Sequence, residues 1–177
     1  DSVFSAPLIV RFAGGEATIV GRFSPSGGNQ FDGALGMLRL NGEGDVVGLT
    51  EIELINQYWF AAAGSPDGSL LFSYALEPGV RPTEEGTWEA TRAPDGNTYG
   101  TDALLLRVDR NGAVVGDVRS TGVRDEWFAQ TRETSSGALF VAGFLEGDGA
   151  TLGDLSVPVT GADDDHIHLF LWRTQAP

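Results

Sequence analysis

The chain contains no cysteine and no lysine, and only two histidines among its 177 residues. Without cysteine it can form no disulfide, no thiolate metal site and no thiol nucleophile. A protein that does not depend on disulfides is compatible with export, and we expect an extracellular or periplasmic location. No apolar run approaches the roughly 18 residues of a membrane-spanning helix, so we predict no membrane span.

Positive charge is also scarce. All eleven basic residues are arginine, and 25 acidic residues bring the formal net charge to −14. A surface of this sign repels the phosphate backbone of nucleic acids and anionic lipid. The charge balance therefore excludes nucleic acid as an expected partner.

Glycine and short apolar runs are abundant. The 25 glycines and eight prolines lie between runs rich in Val, Leu, Phe and Thr, and 41% of the residues are hydrophobic. Short β-branched and aromatic runs separated by turn residues are typical of strands. The composition predicts an all-β globular domain built from many short strands.

One pattern of residues occurs twice along the chain. Trp59-Phe60 and Leu71-Phe72 recur as Trp127-Phe128 and Leu139-Phe140, at the constant spacing that separates Trp59 from Trp127. Further partial copies align 7–23 with 128–144, and 104–107 with 170–173. Recurrence at such a period indicates a repeat architecture, in which neighbouring units bury each other's faces.

We predict one repeat domain over 1–177, with units at about 7–55, 56–120 and 121–177 and an insertion at 77–101 inside the second unit. Each unit has four short antiparallel strands, except that no outer strand follows 170–173 in the third. Four strands per tandem unit is typical of a β-propeller blade. The recurring Trp-Phe pairs are expected to form the core between units. A β-trefoil, which also has three units of four strands, is the alternative.

The runs DALLLRVDRNGAVVG (102–116) and ALFVAGF (138–144), with DDDHIHLFLWR (163–173), resemble the SBBP-type bacterial β-propeller repeat. The resemblance covers most of 7–173 and departs from the family form at the insertion 77–101. It implies exported, surface or envelope-associated proteins with recognition roles, and it brings no catalytic residues with it.

From these observations we expect a non-catalytic module for protein recognition or assembly. The first alternative is a structural subunit of a large extracellular or membrane-associated assembly. The second is a cation-dependent hydrolase of glycans or lactones. Propellers close with four to eight blades, so three units predict either a larger polypeptide or assembly, or completion by other copies of the chain.

The insertion carries the expected partner-binding residues. Trp88 has no counterpart in the other units, which predicts an exposed aromatic contact, and it lies near Glu84, Glu85 and Tyr99. Two carboxylates beside an aromatic ring are also what a glycosidase uses, and the hydrolase alternative rests on this group. A solvated loop is the simpler interpretation of the same residues.

The densest metal-capable group is Asp163-Asp164-Asp165-His166-Ile167-His168. In a strand His166 and His168 project to one face, where with Asp164 they would supply imidazole and carboxylate ligands. We expect no cofactor, with a divalent cation here as the alternative. The competing interpretation is that Asp165 precedes an apolar strand and the other acids are solvated.

Overall fold

A computed structural model of the chain describes residues 3–11, 15–24, 34–52, 59–76, 101–122, 125–146, 149–158 and 167–175. All regular structure in these ranges is β, as the composition predicts. The strands are β1 Val3–Arg11, β2 Ala17–Ser24, β3 Ala34–Leu40, β4 Val46–Glu51, β5 Trp59–Gly64, β6 Leu70–Leu76, β7 Asp102–Val108, β8 Val114–Gly122, β9 Glu126–Glu133, β10 Ala138–Glu146, β11 Gly149–Leu152, β12 Leu155–Pro158 and β13 Ile167–Gln175. The described ranges include no helix that could cross a membrane.

The strands form three antiparallel sheets, which we call sheets I, II and III. Sheet I has the order β1-β2-β3-β4, and sheet II has the order β5-β6-β7-β8-β11-β12. Sheet III has the order β9-β10-β13. Because neighbouring strands are mostly consecutive along the chain, each sheet is largely a meander of hairpins.

Equivalent turns close the third hairpin of sheets I and II. Asn41 Oδ1 accepts hydrogen bonds from the backbone N–H groups of Glu43 and Asp45, and Asp109 Oδ1 does the same for Asn111 and Ala113. Side-chain acceptors of this kind fold the backbone into a tight turn. The carboxylate of Asp109 is thereby used within the turn, as expected for a hairpin.

Gly112 and Gly44 provide a matched test of these turns. Both have positive φ, +88° and +90°, which disfavours any side chain. A Cβ on Gly112 would lie 2.0 Å from the carbonyl oxygen of Glu51, whereas nothing lies within 4 Å of one on Gly44. We expect Gly44→Ala to cost about 1 kcal/mol and Gly112→Ala about 1–2 kcal/mol more, measured by urea unfolding. Equal losses would contradict the contact between the β7–β8 turn and the end of β4.

The three sheets are stacked face to face, and sheet II lies between sheets I and III. Alternate residues of β6 and β7, such as Phe72 and Leu106, pack against Val20 and Met37 of sheet I. The intervening residues, such as Leu105, pack against sheet III. Strands buried on both faces read as continuous apolar runs, which explains the sequences LLFSYAL and DALLLRV.

The hairpin β11–β12 is the main element that the sequence did not predict. The run 146–165 is rich in Gly and Asp, which is typical of a connection rather than of strands. Instead Gly149–Leu152 pairs with Leu155–Pro158 and also extends sheet II beside β8. Leu152 is buried between sheets II and III, and burying this side chain accounts for the hairpin's position.

Candidate functional site

The outer face of sheet III is the most exposed apolar surface among the described residues. We use this name for the face turned away from sheet II. Ile167, Leu169 and Leu171 project from β13 onto it, and Phe140 and Phe144 project from β10. Leu169 and Leu171 expose 78% and 75% of their area. Exposed apolar surface of this kind is typical of interaction sites in proteins.

The residue pattern shared by 104–107 and 170–173 relates this face to a buried one. Ala103 and Leu105 of β7 are the counterparts of Leu169 and Leu171, and both are fully buried beneath sheet III. The side chains at these positions in the repeat are therefore suited to contact with a following sheet. In sheet III they have no such layer over them within the described part of the chain.

Two of the few basic residues lie on the same face. Arg132 of β9 and Arg173 of β13 both stand opposite Phe140, one on each side of it. The guanidinium carbon of Arg173 lies 6.0 Å from the centre of the Phe140 ring, within range of a cation–π contact. The outer face of sheet III is therefore apolar, with two arginines at one end and Glu146, opposite Ile167, at the other.

The outer face of sheet I, which is turned away from sheet II, is the other end of the stack. Ile19, Leu38 and Leu49 stand directly opposite one another across β2, β3 and β4, and Glu51 follows on the same side of β4. Leu49 and Glu51 are exposed. This face is also apolar, and an exposed acidic residue lies beside Leu49 on β4.

Arg107 of β7 joins the turn of the first hairpin of sheet II, β5–β6, to sheet III. Its Nε donates to Ser69 Oγ at 2.9 Å, and one Nη lies 2.9 Å from Asp67 and 3.2 Å from Glu133. Burial favours the neutral acid at Asp67, but hydrogen bonds from Ser69 and the charge of Arg107 outweigh it and lower its pKa. The network fixes the turn at 65–69 and the end of β9 in relation to β7.

A pair of buried acids lies where β7, β8 and β9 meet. Asp102 is held by Arg119, with a shortest distance of 2.7 Å, and the fully buried Glu126 lies beside it. Burial, followed by the negative charge of Asp102, raises the pKa of Glu126 to about 9, although Ser120 Oγ donates to it at 3.4 Å. Glu126 is therefore protonated at neutral pH. Because both carboxyls are enclosed by protein, they are placed to hold strands together rather than to meet a substrate.

The predicted partner-binding residues Trp88, Glu84, Glu85 and Tyr99 lie outside the described residues. The same holds for Asp164 and His166 of the predicted metal group. His168 lies on β13, half-buried and opposite Leu145, on the side that faces sheet II. The described residues contain no group of three or more His, Cys, Asp or Glu side chains placed to hold a metal ion.

The prediction that Trp127 and Phe128 both belong to the core between units is half wrong. Phe128 is buried between sheets II and III, whereas Trp127 is half-buried and stands opposite the exposed Phe144. Neighbouring residues of a strand point to opposite faces, so only one of such a pair can enter one core.

The sequence analysis did not identify the outer face of sheet III. A signal was present, because IHLFLW alternates apolar side chains onto both faces of the strand at 167–172. A strand with one face in water would carry polar residues on that face.

Comparison of the chain with protein-family models, curated proteins and solved structures finds no match.

Proposed function

We propose that this chain is a non-catalytic assembly module of the β-propeller type, in which stacked sheets are continued by the sheets of a second copy of the chain. The observation that carries the proposal is the exposure of Leu169 and Leu171, whose counterparts Ala103 and Leu105 are fully buried by the next sheet. Burying such leucines stabilises an interface by about 1.5–3 kcal/mol each.

The two ends of the stack are suited to each other. The outer face of sheet III has Arg132 and Arg173 beside its apolar residues, and the outer face of sheet I has Glu51 beside Leu49. Opposite charges across an interface favour one register and speed association. The partner surface is therefore the outer face of sheet I of another molecule, reached head to tail.

Head-to-tail contacts generate rings when the rotation closes. Two copies with three sheets each would give six blades, within the four to eight of closed propellers. The exported or envelope location and the kinship with the SBBP-type repeat remain part of this proposal, and they rest on the residues quoted for the resemblance.

Leu171→Asp is expected to prevent assembly. The change places a carboxylate at the centre of the apolar contact, where it would have to be desolvated. By sedimentation and native mass spectrometry, the unmodified chain should form a discrete oligomer, and the variant should need at least tenfold higher concentration to do so.

Val115→Asp is the control, because Val115 is similarly apolar and exposed but lies on β8, away from both outer faces. It should assemble like the unmodified chain. A monomeric unmodified chain at all concentrations, or equal behaviour of Leu171→Asp and Val115→Asp, would contradict the proposal.

A further inference from the structure

A small cavity lies between sheets I and II, beside the turns that join β5 to β6 and β7 to β8. Its volume is about 60 Å³, and two arginines line it, Arg39 of β3 and Arg110 of the β7–β8 turn. One water molecule needs about 10–15 Å³ on the same measure. The cavity therefore has room for the anionic group of a small molecule and for little more.

Arg39 faces the space between the two sheets. It stands directly opposite Thr18, and the next pair on the same face is Val20 with Met37, which pack against sheet II. The Nε of Arg39 is buried and has no hydrogen-bond partner, and no ion pair to this residue occurs in the described part of the chain. Because arginine stays ionised, leaving such a group unpaired destabilises the folded chain.

Arg107 occupies the equivalent place between sheets II and III, and carboxylates hold it there. Each of the two arginines is paired with a glycine of the next strand, Gly48 in sheet I and Gly116 in sheet II. Asp67 lies 2.9 Å from the guanidinium of Arg107, and Glu133 lies 3.2 Å from it. The same position in the repeat is therefore satisfied by two acids in one interface.

The first of these acids has no counterpart in sheet I. Asp67 immediately precedes Gly68, which has a φ of +85°. The corresponding glycine of the β1–β2 turn is Gly15, with a φ of +88°, and the residue before it is Gly14. Residues 12–13 of the same turn are Phe and Ala, so they supply no carboxylate either.

The second acid has no counterpart in sheet II. Glu133 is paired with Leu139, which is buried in the core between sheets II and III. In the β5–β6 hairpin, Gly64 is paired in the same way with Leu70, which is buried in the core between sheets I and II. The cavity therefore lies in the place that two carboxylates take around Arg107.

The charges around the cavity favour an anion. Arg39, Arg110 and the exposed Glu16 are the charged residues of its lining, and together they carry a net charge of +1. The guanidinium of Arg110 lies against Gly68, where a Cβ would collide with it. Two positive charges beside one cavity repel each other, and an anion between them removes this repulsion.

We infer that this cavity binds a small oxyanion, a phosphate or carboxylate group, which Arg39 and Arg110 hold. A guanidinium donates two parallel, charge-assisted hydrogen bonds to such a group. The chain's overall charge of −14 opposes binding only weakly, because salt screens charges that lie more than about 8 Å away. The site lies between sheets I and II, so it does not depend on the outer faces proposed for assembly.

The test titrates the full chain with inorganic phosphate and, separately, with malonate, by calorimetry at constant ionic strength. We expect saturable binding of one anion per chain. Tighter binding of phosphate assigns the site to phosphate groups, and tighter binding of malonate assigns it to carboxylates.

Three variants locate the site. Arg39→Gln should weaken binding about tenfold or more, because it removes the charge-assisted hydrogen bonds of the guanidinium. Glu16→Gln removes the acid of the lining and should tighten binding. Asp154→Asn removes an equal charge from the β11–β12 turn, away from the cavity, and should leave the affinity unchanged.

Urea unfolding separates this site from an arginine that is held by the chain itself. In chloride buffer Arg39→Gln should unfold at the same or a higher urea concentration than the unmodified chain, since no acid of the chain loses its partner. Phosphate should then stabilise the unmodified chain more than the variant. Absence of saturable binding by both anions, equal affinity of Arg39→Gln and the unmodified chain, or a lower urea midpoint of Arg39→Gln in chloride would each overturn the inference.

Discussion

Replacing Glu126 by glutamine is expected to stabilise the protein at neutral and alkaline pH. Glu126 is protonated in the folded chain because its pKa is raised to about 9, whereas in the unfolded chain it ionises near 4.5. Burial is the main cause, followed by the charge of Asp102 and their shared hydrogen bond. Glutamine has the same shape and can donate the same hydrogen bond to Asp102 without releasing a proton.

The sign of the pH dependence follows from linkage. Below about pH 4.5 the carboxyl is protonated in both the folded and the unfolded state, so it does not change the free energy of unfolding with pH. Between about pH 4.5 and 9 only the unfolded state loses the proton, so stability falls as pH rises. At pH 7 the loss is on the order of 3 kcal/mol, because each pH unit contributes about 1.4 kcal/mol.

Urea unfolding from pH 5 to 9 measures this effect. The free energy of unfolding should fall with pH in the unmodified chain, and the slope due to this group should be absent in Glu126→Gln. Asp117→Asn, which removes an exposed carboxylate from β8, should keep the original slope. If Glu126→Gln shows the slope of the unmodified chain, the buried acid pair does not titrate as described.

Phe128→Ala is expected to cause the largest loss of stability, about 3–5 kcal/mol, because it removes a fully buried ring from the core between sheets II and III. The ring centre of Phe128 lies 6.2 Å from that of Phe170, edge to face, and 6.4 Å from that of Trp172. Its removal would leave a cavity beside two rings that both belong to β13.

Trp127→Ala is the matched control, although tryptophan is the larger side chain. Trp127 is half-buried on the outer face of sheet III, so its removal should cost about 1 kcal/mol or less in the monomer. Thermal and urea unfolding of both variants give the comparison. A greater loss for Trp127→Ala than for Phe128→Ala would mean that the two residues occupy the opposite faces.

The repeat in the sequence predicted much of the local structure. The apolar runs predict strands near Ala103–Val108 and Ala138–Phe144, and the turn residues predict hairpin turns at Asp109-Arg110-Asn111-Gly112 and at Ser65-Pro66-Asp67-Gly68. Strands and turns occur at all four places. These features follow from short-range chemistry: alternating apolar side chains, Asx acceptors and glycine at positive φ. The sequence does not show which strands share a sheet. The strands β11 and β12, for example, follow β10 in the chain but join sheet II, which is formed mainly by earlier strands.

The candidate sites also differ in how far the local sequence reveals them. The metal group at Asp164, His166 and His168 and the contact residues around Trp88 were chosen from local composition. The outer face of sheet III has one local signal, the apolar residues on both sides of the strand at 167–172, but its other residues, such as Phe140, lie far away in the sequence. Leu155 and Trp172, for example, line one cleft only because sheets II and III are stacked.

The amino-acid sequence by itself indicated most of the strands and turns, although not the hairpin β11–β12, and it contains a residue pattern that recurs. The tertiary structure decided which side of each strand is buried. In sheet II, Phe72 of β6 stands opposite Leu106 of β7. In sheet III, Phe140, which corresponds to Phe72, stands opposite Arg173 instead. The residue that corresponds to Leu106 is paired with Val141. This slip of one residue moves the side chains of β10 to the other face, so that Phe72 is buried and its counterpart Phe140 is exposed. Pairing register depends on connections and on packing against sheet II, and neither is encoded within a single repeat.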